Sequence, residues 1–138
     1  ELWRINLMEY ISAKEFLKKP KEVQEVFIDW WKLEKGNLYC IDAGCIHGGE
    51  LEDYRIEVIE ENETLKKYFV CPLLTECQLR KFIEDKTRYK VEAPWHGCYD
   101  IYLVDQLTGQ EVIKDYFNLD TDLLQAYWTV ACEIAKEG

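Results

Sequence analysis

Two short stretches hold the side chains best suited to chemistry. Cys45-Ile46-His47 and His96-Gly97-Cys98 set both histidines of the protein two residues from a cysteine, in mirrored order and in glycine-containing turns. Two thiolates and two imidazoles satisfy tetrahedral zinc, so Cys45, His47, His96 and Cys98 form a candidate metal set. The spacing speaks against it, because structural zinc sites usually leave about two to four residues between paired ligands and here one residue separates each Cys from its His. The plain alternative is two loop histidines near cysteines in a cysteine-rich chain. The same residues allow a thiolate nucleophile, Cys45 or Cys98, with His47 or His96 as base. Such a dyad needs contact in space and a third, orienting group, and no nucleophile motif surrounds either cysteine. Gly44, Gly48 and Gly49 lack the spacing and the strand-to-helix setting of a phosphate-binding loop or dinucleotide fingerprint. Enzymatic activity is therefore the less favoured reading, and no cofactor other than zinc is suggested.

Binding is the other chemistry on offer. Glu50, Glu52, Asp53, Glu57, Glu60, Glu61 and Glu63 place seven carboxylates within fourteen residues around one cation, Arg55. Such runs are most often solvated loop faces, but this is the most one-sided field in the chain. The net charge of −10 argues against direct binding to nucleic acid or an anionic membrane and permits a basic partner. Among the aromatics, Trp95, on a turn after Pro94, is the one expected to be partly exposed, and tryptophan is a favoured interface anchor.

The elements that must position these residues are well punctuated. Thr75 and Gln78 form a capping box, with Leu74 and Leu79 at the staple positions, and Leu79, Phe82 and Ile83 make a helical apolar stripe. Ser12 and Glu15 form a second capping box for a helix running to about Lys19. Pro20 either kinks that helix or opens a new one. Val23, Val26, Phe27, Trp30 and Trp31 follow the spacing of a buried face, with Trp31 at its edge, and Gly36-Asn37 ends the helical region.

Strands are expected at Leu38 to Asp42, at Tyr54 to Ile59 with Tyr54, Ile56 and Val58 facing the core, and at Lys67 to Cys71, stopped by Pro72. Tyr89 to Ala93 and Tyr99 to Val104 form two arms about a turn at Pro94 to Gly97. Gln110 to Tyr116 is a further strand after the turn at Leu107-Thr108-Gly109. A last helix from Asp120 or Thr121 carries a wide apolar face including Tyr127 and Trp128, which could pack the sheet or a twofold interface, so a homodimer is an option. The expected fold is α+β, an antiparallel sheet of five or six strands with about three helices mainly on one face. At 138 residues with 48% apolar composition, residues 8–138 fit one domain. Residues 1–7, ahead of the only methionine, Met8, read either as an upstream extension or as an edge strand. No apolar run nears the roughly 20 residues of a membrane span and no signal peptide is visible, so the six cysteines are read as free thiols in a reducing cytoplasm.

Three stretches, Trp30-Trp31-Lys32 with Gly36-Asn37-Leu38-Tyr39, Pro72 through Thr87, and Asp122 through Trp128 with Val130-Ala131-Cys132, resemble a group of small uncharacterised proteins from phages and prophages of Gram-positive bacteria. The middle stretch is the specific one. Glycine is usual in that group where this chain has Cys77, so the resemblance gives this cysteine no role. It implies a phage setting and supplies no activity or ligand.

Together these features lead to the expectation of a non-enzymatic, acidic phage protein that binds and inhibits a host defence protein. An anti-CRISPR-like action fits, the partner being a CRISPR effector or another nucleic-acid-binding protein whose phosphate groove the carboxylates occupy. The alternatives are a small zinc-stabilised phage accessory domain and a cysteine-dependent enzyme.

Overall fold

A computed structural model of the protein describes residues 9–32, 34–42, 44, 54–60 and 68–137. Its elements run α1 (Ala13–Leu17), α2 (Lys21–Trp30), β1 (Leu38–Asp42), β2 (Tyr54–Val58), β3 (Phe69–Leu73), α3 (Glu76–Thr87), β4 (Lys90–Glu92), β5 (Tyr99–Val104), β6 (Val112–Asp120) and α4 (Leu123–Glu137). The class is α+β, but the strands form two three-stranded antiparallel sheets, β2-β1-β3 and β4-β5-β6, rather than one sheet of five or six. Four helices are present among the described residues rather than about three, because Pro20 separates α1 from α2. The second trio pairs in sequence order, whereas in the first β3 pairs with β1 rather than with β2, and α3 stands between the two trios in sequence. The chain divides into two compact units, one spanning Ser12–Leu74 and the other running from Thr75 onward and taking in Tyr10 and Ile11.

In the first unit, Ser12 caps α1 by accepting from the Glu15 amide at 3.2 Å. The junction at Pro20 is held by Gln24, whose Nε2 donates to the carbonyls of Leu17 at 3.3 Å and Lys19 at 2.8 Å, two acceptors the helix end leaves open. Helix α2 stops at Trp30, six residues before Gly36. Trp31 turns to extended backbone (ψ 141°) and buries its ring against Phe69 and Tyr39, with centroids 6.0 and 6.3 Å away. Strand β1 lies in the middle of its sheet and is buried from Leu38 to Ile41.

Its neighbours are edges, which explains two departures from the alternation rule. Ile56 on β2 is 37% exposed while Glu57, opposite the buried Tyr39, is half-buried, so β2 does not turn Tyr54, Ile56 and Val58 into a core. Pro72 does not stop β3 but lies inside it, across from Tyr39, as an edge strand tolerates.

The second unit begins with the capping box. Thr75 Oγ1 accepts from the Gln78 amide at 3.4 Å, and Gln78 Oε1 accepts from the Thr75 amide at 2.9 Å. Leu79, Phe82 and Ile83 are fully buried, and α3 ends at Arg88 in the left-handed region (φ 66°). The outer edge of β4 is closed by that helix: Arg80 Nη2 donates to the Val91 carbonyl at 3.1 Å, and Glu84 Oε2 accepts from the Val91 amide at 3.0 Å. The edge of β6 has no such cover among the described residues.

Helix α4 packs on α3, β5 and β6. Tyr127 and Trp128 are buried within the chain, so the face weighed as a twofold interface is already used.

Candidate interaction surface

The hairpin of β4 and β5 has a register of Lys90 opposite Val104, Val91 opposite Leu103 and Glu92 opposite Tyr102. Side chains alternate along β5, so buried Ile101 and Leu103 share the face that meets α4 while Asp100 and Tyr102 point to the other. On β6, Tyr102 faces Asp115 and Ile101 faces Tyr116, but Tyr99 faces Asp120. Phe117, Asn118 and Leu119 therefore stand across from Asp100 alone, an enlarged bulge that puts Asn118 at φ 51°, a region asparagine tolerates.

Asp100 pins this irregularity. It is the one charged residue buried among the described residues, at 5% exposure. Its Oδ1 accepts from the Asn118 amide at 2.9 Å and lies 2.7 Å from His96 Nε2, and its Oδ2 accepts from the Tyr102 hydroxyl at 3.4 Å. The hydrogen bond from His96, then that from the Asn118 amide, holds the carboxyl below its usual range. The bond to Asp100 raises the His96 imidazole above its ordinary value, and burial first, then the nearby Asp100 charge, raises the Tyr102 phenol. The turn carrying His96 needs Gly97 at φ 103°, and the Asp100 amide reaches back to the Pro94 carbonyl at 3.1 Å.

Around this pin stand exposed rings. Trp95 is 56% exposed, as its place after Pro94 suggests, and its ring lies 4.9 Å from that of Tyr99. Phe117 is 57% exposed and meets Tyr102 edge-on at 6.0 Å. Glu92 and Asp115 flank Tyr102 across the sheet, both exposed. Among these rings, Tyr102 is held by its hydrogen bond to Asp100, while Trp95 and Phe117 each lie against one neighbouring ring.

The other candidate residues distribute as follows. Cys98 donates its thiol to Asn118 Oδ1 at 3.6 Å, and the His96 Nε2 is taken by Asp100, so the described half of the Cys/His set is turned to the bulge. Cys45 and His47 lie outside the described residues, and no group of three or more His, Cys, Asp or Glu among the described residues could hold a metal ion. In the acidic field, Glu50, Glu52, Asp53, Glu61 and Glu63 also lie outside the described residues, Glu57 is half-buried on β2, and Glu60 is exposed after it. Sequence reasoning missed Asp100, Tyr102, Asn118 and Phe117. The i, i+2 placement of Asp100 and Tyr102 on a strand was a readable signal, but their partners on β6 are shifted by the bulge.

Cys40, Cys71, Cys77, Cys98 and Cys132 are in no disulfide. No helix among the described residues is long and apolar enough to cross a membrane. Comparison with family models, curated proteins and solved structures gives no match to this chain.

Proposed function

We propose that this chain is a non-enzymatic, acidic binding protein of phage origin that acts in the host cytoplasm. In this reading it inhibits a host defence protein, in the manner of an anti-CRISPR protein, by occupying a nucleic-acid-binding surface. The observation that carries the binding part is the face of the second sheet where Phe117 stays more than half exposed against Tyr102, with exposed Glu92 and Asp115 on either side of that tyrosine. Exposed large rings on a pinned scaffold are typical anchors of protein contacts. The net charge of −10 and the resemblance of Pro72 through Thr87 to phage proteins support the rest. Negative side chains compete for grooves built for phosphates and speed the encounter with a basic protein.

A panel of nuclease and interference assays with purified protein tests the reading, together with capture of defence components at low salt. The expected result is dose-dependent inhibition that weakens as salt rises. Absence of binding to any defence component at low salt overturns it.

The cysteine-enzyme alternative keeps one supporting observation, the carboxylate that orients His96. Alkylation of Cys98 with loss of an activity, in the absence of any binding partner, would favour it.

A further inference from the structure

We propose that the row Glu92, Tyr102 and Asp115, with Phe117 as its wall, is a docking site for an arginine side chain of a basic protein segment. The inference rests on the binding function proposed above and names the chemical group that its second sheet receives.

The row follows from register. Glu92 on β4 and Asp115 on β6 are the cross-strand partners of Tyr102 on either side, so the three side chains leave the same face. Two strand spacings put the carboxylate-bearing backbone positions about 10 Å apart, with the tyrosine ring between them. Neither Glu92 nor Asp115 has an ion pair or hydrogen bond from its side chain to another described residue. The nearest cation on this face, Lys90, is one row away, about 7 Å along β4. Phe117 stands edge-on to Tyr102, and the Asp100 carboxylate accepts from the phenol, so the two rings form a corner whose tyrosine is oriented by a hydrogen bond.

Charge and shape select the occupant. Two free carboxylates flanking an exposed aromatic corner are complementary to a cation with a flat face. A guanidinium forks to carboxylates and stacks on rings, which an ammonium does less well. A second copy of the chain is disfavoured, since each copy carries −10. Strand β6, which carries Asp115 and Phe117, is an edge of the sheet, and its Val112 is exposed to take an apolar side chain of the same segment.

The test uses the full chain and a blocked five-residue peptide carrying two arginines, with the citrulline and lysine versions as controls, followed by amide NMR. Saturable shifts at Glu92, Tyr102, Asp115 and Phe117 are expected with the arginine peptide, weaker ones with lysine and none with neutral citrulline. Glu92→Gln with Asp115→Asn should weaken the arginine peptide about tenfold, and Phe117→Ala by a smaller factor, with unchanged spectra elsewhere. Lack of saturable shifts up to millimolar peptide overturns the site, as does equal response to citrulline or shifts confined to residues 50–63. A host protein bound equally well by the parent and by the Glu92→Gln, Asp115→Asn variant also overturns this site while leaving the binding reading intact. Failure to bind any host protein removes that reading, and the peptide titration still decides the site.

Discussion

The two three-stranded sheets use their middle strands in opposite ways. In β2-β1-β3, the middle strand is buried on both faces, and Trp31, Tyr39 and Phe69 stack around it. In β4-β5-β6, the middle strand buries Ile101 and Leu103 toward α4 and turns the other way a pinned polar network with half-buried Tyr102, against which the exposed Phe117 of β6 stands. Cysteines report the same contrast. Cys40 and Cys71 face each other across β1 and β3, and burial, then the other thiol, pushes Cys71 up to about 12. At ordinary pH they are small hydrophobes. Cys98 instead lies half-buried in the second unit with its thiol on Asn118. The first of these middle strands has only packing left to offer, whereas the second, though buried at Asp100, Ile101, Leu103 and Val104, keeps Tyr99 and Tyr102 half-buried at the surface.

The strongest way to break this contrast is at the first sheet. Trp31→Ala should destabilise its unit by about 3–5 kcal/mol, the usual cost of emptying a buried aromatic site. Chemical denaturation measures it, and a change below about 1 kcal/mol would show that the stack carries little of the packing.

Next in size is the pin. Asp100→Asn should lower the melting temperature and bring the His96 titration, followed by NMR, back toward its ordinary range. The pH dependence has two limbs. His96 has its folded value raised, so its contribution is full below the unfolded value and is lost as pH rises through the folded one. Asp100 has its folded value lowered, so its contribution is present above the unfolded value and is lost as pH falls through the folded one. The pair therefore stabilises most between the unfolded carboxylate value near 3.8 and the unfolded imidazole value near 6.5. Thermal melts across pH should show His96→Gln removing the limb above the unfolded imidazole value and shrinking the acid limb to the part owed to the Asn118 amide and the Tyr102 hydroxyl. Two unchanged limbs would mean that the pair is not formed.

A smaller effect is expected from the cap: Thr75→Ala should cost about 1 kcal/mol, read as a shifted denaturation midpoint. The smallest stability change belongs to Phe117→Ala, within about 0.5 kcal/mol because the ring is mostly exposed. Its effect should fall on binding instead, and an equilibrium melt beside a binding titration separates the two. In the native protein, alkylation followed by peptide mass mapping should label exposed Cys77 while Cys40 and Cys71 stay protected, sharpening the difference between surface and interior thiols.

How much of this was legible beforehand depended on the range of each interaction. The capping box at Thr75, the stripe of Leu79, Phe82 and Ile83, the β4–β5 hairpin and the exposure of Trp95 rest on contacts a few residues apart, and the chain spells them out. The order of helices and strands likewise follows from hydrophobic period and turn residues, which act locally. Two features were beyond such reading: the division into two sheets and the outward Ile56. They depend on which strand is central and which is an edge, a property of pairing rather than of any one strand. The candidate surface was half legible. His96 and Cys98 drew attention by residue type, but as ligands or catalysts. Asp100, whose single carboxylate gathers His96, Tyr102 and the Asn118 amide, gained its role only when β6 bulged across from it. A sequence states that an aspartate is present in a strand. Whether that carboxylate is buried, and what hydrogen bonds repay its lost hydration, is decided by residues some 18 positions away that only tertiary pairing brings within 3 Å.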